Sequence, residues 1–418
     1  MTAHSKLSRL GALALVALAS TWAAAQSYEV VDLGPNMFPR KINDGGVVVG
    51  NMNLPETEPG LPPTSFPFTW RAGVASVLAP EGWLGGSLAA INTAGVAVGQ
   101  ARLVDPLRPT APFIYTAGSV TLIPVDGIGA AAAINDGGII GGFIQRGAPG
   151  SFGGNIPFIQ EGGVITLLPT LTAFGGGGVN DVNAGGVAVG DRTTADGSGT
   201  ESFTWRAGVL TPLPSLGQHT TANAINDRGL IVGASNIGET FEQHAVAWEN
   251  GAIRDLGALP GAFGNMAADV NADGVVVGSS FGIGGLYGWM HQGGTLVTLD
   301  ALAGAQTGWQ FASANGINAA GEIVGIGIPP GATSFHGYIL RIKAQRTIAQ
   351  IMADLAAGIA ALPRRSPAGA ALLGLMNAYE ASNATNVPAL CQALRRLGAE
   401  GILQQLATEL SNALGCAA

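Results

Sequence analysis

The chain has 418 residues, of which 47% are hydrophobic and 11% charged, and 65 of them are glycine. So little charge with so much glycine would fit a disordered chain, but the hydrophobic fraction is too high for disorder, so we predict packed sheets joined by many turns. The formal net charge of −8 gives an acidic surface that repels nucleic acid, and we expect no nucleic-acid partner.

Residues 1–25 have the pattern of a secretory signal peptide. Two basic residues precede an apolar run over residues 10–19, and three alanines end the segment at Ala25. The alternative is a membrane anchor, which needs about 20 apolar residues, roughly twice the length of this run. The residue after the segment is Gln26, so no cysteine is placed there to accept a lipid. We therefore predict a secreted or periplasmic protein with no membrane span in the mature chain.

A short motif recurs seven times along residues 26–342. Each copy has an Ile or Val, then an asparagine, and then a glycine three residues and another seven residues after that asparagine. Asparagine suits the first position of a type I turn and glycine suits the fourth, and the apolar run between the glycines predicts a strand buried on both faces. Spacing of 43 to 49 residues marks a repeat array. We number repeats 1 to 7 by their asparagines, which are Asn43, Asn92, Asn135, Asn183, Asn226, Asn271 and Asn318.

A second block in each repeat predicts two further strands. Blocks such as Pro67–Trp70 and Ser202–Trp205 alternate as half-buried strands do, and in the first six repeats a glycine three residues later indicates another hairpin. Repeat 7 lacks a fourth strand, whereas residues 28–34 resemble the fourth strand of repeat 5. If residues 28–34 pair with residues 336–342, no long sheet edge stays open. We therefore predict an all-β fold: a seven-bladed β-propeller of four-stranded blades, closed by the N-terminal strand. A β-solenoid is the alternative.

Repeat 5 carries the most complete set of motifs. It runs from Ala224–Gly233 through His244–Trp248 to Asp255–Gly257. In this series the chain resembles the HAF repeat of bacterial extracellular proteins, and the resemblance covers about residues 28–342. Most repeats have Pro or Ser in place of the His-Ala of that pattern, and we expect His244 and its equivalent His336 to be structural. The resemblance implies an exported repeat protein with no assigned activity.

Residues 343–418 predict a small α-helical C-terminal domain. Ile348, Ile351 and Leu355 begin an apolar stripe at helical spacing. Cys391 and Cys416 are the only cysteines, and in an exported protein such a pair predicts a disulfide bond. On a continuous last helix Cys416 would lie about 13 Å too far along, so the last turn has to fold back.

One face of the predicted propeller carries both the variable loops and the connections between blades, and we expect partners to bind there. Aromatic residues lie on these connections, eight or nine residues before the repeat asparagine. As a ring they would stack on sugars or apolar ligands, whereas packing between blades is the alternative that needs no ligand. The four candidates are Trp83, Phe174, Phe263 and Trp309.

Asp269, Asn271 and Asp273 match the start of a calcium-binding loop. The ninth and twelfth positions of that loop are Val277 and Ser280, which lack the ligands that calcium needs there. A turn already accounts for these residues, so we predict neither a metal nor a cofactor and keep calcium as the alternative.

The sequence therefore predicts an exported, non-catalytic binding or scaffold protein whose loop face recognises an unknown extracellular carbohydrate or protein. The alternative is an extracellular polysaccharide-active hydrolase or lyase, since propellers host such sites. Seven acidic side chains could supply its pair of carboxylates: Glu56, Glu58, Asp105, Asp126, Asp196, Glu239 and Glu242.

Overall fold

The computed structural model describes residues 27–54, 64–105, 109–146, 154–172, 175–343, 348–360, 367–381, 387–396, 402–414 and 416. The predicted signal peptide, Glu56, Glu58 and Phe174 lie outside the described residues. The fold is mostly β, with 53% strand and 14% helix. The chain divides into two compact units, one ending at Lys343 and the other beginning at Ala344.

Strands follow one another along the first unit in groups of four, as the sequence predicts. The chain opens with β1 (Tyr28–Pro35). Repeats 1 to 3 hold β2 (Met37–Ile42), β3 (Val48–Asn53), β4 (Ser65–Arg71), β5 (Val74–Val77), β6 (Trp83–Ile91), β7 (Ala97–Leu103), β8 (Thr110–Thr116), β9 (Ser119–Leu122), β10 (Ile128–Ile134), β11 (Ile140–Gln145), β12 (Asn155–Glu161) and β13 (Val164–Leu167). Repeats 4 to 6 hold β14 (Gly177–Val182), β15 (Ala188–Thr193), β16 (Thr200–Arg206), β17 (Val209–Pro212), β18 (Thr220–Ile225), β19 (Ile231–Asn236), β20 (Gln243–Glu249), β21 (Ala252–Gly257), β22 (Ala262–Val270), β23 (Val276–Gly282), β24 (Gly285–Gln292) and β25 (Thr295–Thr298).

Neighbouring strands within each of these repeats pair antiparallel. The strand groups of repeats 5 and 6 belong to one eight-stranded sheet, because a single parallel bridge joins Gln243 to Gly264. Each first strand of repeats 1 to 6 carries a β-bulge just before its asparagine. A bulge bends its strand and raises the local twist.

Repeat 7 departs from the pattern in its first strand. A π-helical turn, Asp300–Gly304, and a short α-helical turn, Ala305–Thr307, precede β26 (Gln310–Phe311) and β27 (Gly316–Ile317). Both short strands pair with β28 (Ile323–Ile328), which in turn pairs with β29 (His336–Ile342). The other edge of β29 pairs antiparallel with β1, as the sequence predicts, with Tyr28 opposite Ile342 and Asp32 opposite Tyr338.

The two glycines of each repeat are required for different reasons. The first, such as Gly46, has a φ between 71° and 85° in every repeat, a left-handed conformation that costs other residues about 1–2 kcal/mol. The second, such as Gly50, lies against the bulged first strand. A Cβ at any of these seven positions would come within 1.9 to 2.2 Å of a carbonyl oxygen, which belongs to the first strand in repeats 1 to 6 and to Ser313, between β26 and β27, in repeat 7. The first glycine shapes the turn, and the second lets two strands approach.

The core of the first unit lies between adjacent sheets. One side chain from the third strand of each repeat is fully buried there, opposite the second repeat glycine. These side chains are Phe68, Phe113, Phe158, Phe203, Val246, Trp289 and Tyr338. The second strands are buried on both faces, as their unbroken apolar runs predict; Val48 and Val49 of β3 are examples.

The second unit holds four helices with a separate apolar core. They are α1 (Ile348–Ala360), α2 (Pro367–Ala381), α3 (Val387–Arg396) and α4 (Ile402–Ala413). Cys391 and Cys416 form the predicted disulfide bond, with Cα atoms 5.6 Å apart. The chain folds back after α4, since the backbone N–H of Cys416 donates to the carbonyl of Ser411 at 2.9 Å. Among the described residues, no helix combines the length and the hydropathy that crossing a membrane requires.

Candidate functional site

The repeat asparagines bind one another in a chain of side-chain hydrogen bonds. Each Nδ2 group donates to the backbone carbonyl of the asparagine in the next repeat, at 2.9 to 3.3 Å. The seventh bond runs from Asn318 back to Asn43 at 3.2 Å. Each Oδ1 atom accepts a bond from the backbone N–H four residues later, at 2.8 to 3.0 Å, which shapes its own turn. One side-chain type therefore fixes both the turn and the contact with the next repeat.

The seven turns enclose a cavity of about 230 Å³. Asp44, Asp136 and Asp227, which directly follow their asparagines, line it. Each of these carboxylates accepts a hydrogen bond from a backbone N–H of another repeat: Asp136 from Thr93 at 2.9 Å, Asp227 from Ala184 of repeat 4, and Asp44 from Ala319 of repeat 7. The sequence predicts turns at these asparagines but not the cavity that they share. The signal for it is that the asparagine occurs in all seven repeats, since a lone turn tolerates several residue types.

A charged cluster lies two residues before the asparagines. The Nζ atom of Lys41 lies 2.6 Å from Asp269, and the side chains are 23% and 9% exposed. Burial by itself lowers the pKa of Lys41, but Asp269 and Asp181 outweigh it, so the pKa is raised and Lys41 stays protonated. Burial raises the pKa of Asp181. Gly316 occupies the same position in repeat 7, where a Cβ would lie 3.1 Å from the Cα atom of Lys41.

The three calcium candidates are engaged elsewhere. Asp269 binds Lys41 with one oxygen and accepts from the N–H of Ile317 with the other. The side chain of Asn271 belongs to the asparagine chain, and Asp273 is exposed, 3.6 Å from Arg228. Within the described part of the chain, no three His, Cys, Asp or Glu residues are grouped to hold a metal. Of the three side chains, only that of Asn271 shapes the turn, whereas Asp269 and Asp273 lie beside basic residues.

His244 and His336 each pair with an aspartate of a neighbouring outer strand. Nδ1 of His244 lies 2.8 Å from Asp255, and Nδ1 of His336 lies 2.9 Å from Asp32 of β1. Burial alone would lower the pKa of His244, but its hydrogen bonds to the carboxylates of Asp255 and Glu242 outweigh burial and raise the pKa. The residues that line the asparagine cavity include neither histidine. Both pairs therefore connect outer strands.

Of the four aromatic residues predicted on the connections between blades, two pack against other rings. Trp83 packs edge-on against Phe113, with ring centroids 4.9 Å apart. Trp309 is only 7% exposed and packs against Phe311 and neighbouring rings. Both residues therefore pack against other side chains, which is the predicted alternative that needs no ligand. Phe263 is 57% exposed and stays a candidate for ligand stacking.

Three of the acidic candidates, Asp126, Asp196 and Glu242, have local partners. Asp196 accepts hydrogen bonds from Thr194 at 2.6 Å and from Ser198 at 2.7 Å, which lower its pKa to about 2. Asp126 lies 3.8 Å from Arg146, and Glu242 lies 3.3 Å from His244. These side chains stabilise loops and strand ends.

A second cavity, of about 220 Å³, opens at the loop end of repeat 6. Turns and loops lie at opposite ends of antiparallel strands, so this cavity lies at the other end from the asparagines. Leu259, Pro260 and Ile283 supply apolar walls, glycine backbone lines part of it, and Ser280, Tyr287 and Thr298 supply hydroxyl groups. Its lining includes no carboxylate, histidine, lysine or arginine. We call it the loop-end cavity.

Repeat 6 has this open cavity because its second and third strands are joined directly. Only residues 283 and 284 separate β23 from β24, whereas residues 54–64 separate the same strands in repeat 1. Ile283 at the tip is 86% exposed, and Phe281 and Leu286 beside it are 47% and 51% exposed. The missing loop is visible in the sequence, but the cavity also needs Leu259 and Pro260, which precede β22 and reach its wall only in the folded chain.

Known proteins offer only distant similarity. The sequence matches no family model and none of the curated proteins. Solved structures similar to this chain include an acylaminoacyl peptidase of Pyrococcus horikoshii, with 10% identity and a TM-score of 0.47 over 75% of this chain and 54% of that one. The β-propeller domain of the Trilobed protease from Pyrococcus furiosus has 9% identity and a TM-score of 0.48 over 72% and 96%. A gluconolactonase of Xanthomonas campestris has 14% identity and a TM-score of 0.36 over 77% and 92%. This chain thus spans about half of the acylaminoacyl peptidase, and we take no activity from these proteins.

Proposed function

We propose that residues 27–343 form a closed, seven-bladed β-propeller. Three sets of contacts support closure between repeats 7 and 1. The asparagine chain returns to its start at Asn43, β1 pairs with β29, and apolar side chains of repeat 1 such as Phe68 share a cluster with Val324 and Ile339 of repeat 7. Closure leaves no long edge between the first and last blades.

We further propose that this propeller is an exported protein of the HAF-repeat kind. The motif series of repeat 5 supports the family, and the signal-like residues 1–25 support export. The Cys391–Cys416 disulfide fits an oxidising compartment.

The function we propose is non-catalytic recognition of an extracellular ligand through the loop face. The observation that carries it is the lining of the loop-end cavity, which consists of glycine backbone, hydroxyl groups and apolar side chains. Binding sites are mostly apolar with a few placed polar groups, whereas hydrolysis of a glycosidic bond needs a pair of ionisable acids. The exposed Ile283, which lines this cavity, and the exposed Phe263, next to Ala262 in its lining, extend the apolar surface available to a ligand.

A polysaccharide-active hydrolase or lyase is the second candidate. The observation that favours it is the cluster of Asp181, Asp269 and Lys41. Burial and the charge of Asp269 raise the pKa of Asp181 although Lys41 lowers it, and acid catalysts carry raised pKa values. Any such activity would depend on Asp181.

The test measures binding of a protein comprising residues 26–418 to arrayed glycans and to displayed peptides. Mass spectrometry then detects any products released from these ligands. We expect retention by members of one class, loss of retention in Ile283→Asp, and no products. The matched control is Val104→Asp, which replaces an aliphatic side chain 61% exposed near the loop end of repeat 2. Released fragments that disappear in Asp181→Asn would establish the enzyme and overturn the binding role.

A further inference from the structure

Three side chains of repeat 6 form a polar row across one face of its sheet. Asn265 of β22 is the cross-strand partner of Ser280 of β23, and Ser280 is the partner of Tyr287 of β24. Side chains of directly opposed residues share a face, with Cβ atoms about 4.5–5.5 Å apart. Ser280 and Tyr287 line the loop-end cavity, so this row runs along its wall.

The hydroxyl groups of the cavity keep hydrogen-bonding capacity for a ligand. Ser280 donates to the carbonyl of Gly264 at 3.2 Å, and Tyr287 donates to the carbonyl of Gly284 at 2.7 Å. Both hydroxyl oxygens can therefore still accept a hydrogen bond. The Oγ1 atom of Thr298 accepts a backbone N–H at 3.2 Å, so its own proton remains to be donated. The cavity thus offers two acceptors and one donor.

Asn265 adds a buried acceptor next to Ser280. The residue is fully buried, and its Nδ2 group donates to the carbonyl of Gly257 at 2.8 Å. Its Oδ1 atom has no hydrogen-bond partner among the described residues. An unsatisfied buried acceptor costs about 1–3 kcal/mol. A hydroxyl-bearing ligand seated on Ser280 would bring a donor to this end of the row.

The chemistry of the cavity favours a neutral ligand that carries hydroxyl groups. An anion would find one donor against several acceptors, and a cation would find no counter-charge, because no charged side chain lines the cavity. A ligand hydroxyl both donates and accepts, which matches this set of groups. Leu259 and Pro260 supply apolar surface for the C–H groups of a ring. The volume of about 220 Å³ is below that of pockets for drug-sized ligands, about 300–1,000 Å³, and suits a single ring.

We propose that the loop-end cavity binds one neutral sugar ring, either free or at the end of a glycan. The hydroxyl groups of the sugar donate to Ser280 and Tyr287 and accept from Thr298, while its C–H face packs against Leu259 and Pro260. The proposal rests on the proposed binding role and names the class of its ligand.

Saturation-transfer difference NMR on a protein comprising residues 26–418 tests this. The probes are methyl glucoside, methyl galactoside and methyl mannoside, with glucuronic acid and glucosamine as charged rings of similar size. We expect at least one neutral glycoside to bind saturably and the charged rings to bind about tenfold more weakly. Tyr287→Phe removes only the hydroxyl group and should weaken binding of that glycoside about three- to tenfold, as expected for one neutral hydrogen bond. The matched control is Tyr115→Phe in repeat 2, which lies outside the lining of the cavity and should bind like the wild type.

Photolabelling of the wild type provides a readout that does not depend on the variants folding. A diazirine derivative of the bound glycoside should label residues 259–262 or 283–287, as mapped by mass spectrometry. No saturable binding of a neutral glycoside, equal binding of the charged rings, equal binding in Tyr287→Phe, or labelling confined to other residues would overturn the proposal. Displayed peptides that bind the wild type but not Ile283→Asp, with no glycoside bound, would remove the sugar and leave the binding role standing. Glycan fragments whose release depends on Asp181 would remove the role itself.

Discussion

Alanine in place of the second repeat glycine should cost far more stability than alanine in place of the first. In repeat 5, a Cβ on Gly233 would lie 1.9 Å from the carbonyl oxygen of Thr221, whereas ordinary contact begins at 3.4 Å. The first strand would have to move by roughly 1.5 Å, which breaks strand hydrogen bonds as well as overpacking the core. We expect Gly233→Ala to lower the free energy of unfolding by about 3–5 kcal/mol.

Two matched variants separate this close approach from the general effect of removing a glycine. Gly229 has φ +85° and open space around its Cβ position, so Gly229→Ala should cost only the left-handed conformation, about 1–2 kcal/mol. Gly374 lies on an exposed helix face with nothing near its Cβ position, and Gly374→Ala should stabilise α2 by up to about 1 kcal/mol.

Urea unfolding followed by tryptophan fluorescence measures the repeat variants in the β unit alone, because residues 344–418 contain no tryptophan. Circular dichroism follows Gly374→Ala in the helices. Equal losses for Gly233→Ala and Gly229→Ala would refute the close-approach explanation.

Three further variants test other contacts. Ala207 has φ +48° in a two-residue turn, so Ala207→Asn, which tolerates that conformation, should raise the free energy of unfolding by about 0.5–1 kcal/mol; an unchanged value in urea unfolding would contradict this. Lys41→Met leaves Asp269 buried and unpaired and should cost about 3–5 kcal/mol, part of which Asp269→Asn added to it should restore; no recovery in the double variant would argue against the ion pair. The folded pKa of His244 is raised above its ordinary value of about 6.5, so its pairing with Asp255 should contribute fully below about pH 6.5 and be lost as the pH rises through the folded pKa. Unfolding of His244→Asn across this range should differ from wild type by about 0.2–1 kcal/mol on the acidic side only.

The repeat architecture could be predicted because turn chemistry and strand patterning act locally. Asn43 and Gly46 specify the same turn wherever they occur, and the apolar run of β3 is long enough to indicate burial. The pairing of β1 with β29 followed from the count of strands, since the missing fourth strand of repeat 7 had only one candidate.

The sites could not be predicted in the same way, because they depend on distances between repeats. Nothing in one repeat indicates that the side chain of Asn43 reaches Asn92, or that Lys41 lies beside Asp269 across 228 positions of sequence. Trp309 is an aromatic residue of the kind that stacks on ligands, but it is buried. The helical turn that precedes it is not part of the repeat pattern.

Closure by the N-terminal strand is tested most directly by a cross-link between the two chain ends of the propeller. Glu29 and Arg341 are register partners in β1 and β29, and their side chains form an ion pair. Directly opposed residues in a sheet lie close enough for cysteines to bridge. Mild oxidation of Glu29→Cys/Arg341→Cys should give an intramolecular disulfide, identified by peptide mapping, at far higher yield than in Glu29→Cys/Arg206→Cys. Equal yields in the two variants, or bridges only between molecules, would contradict the closed ring.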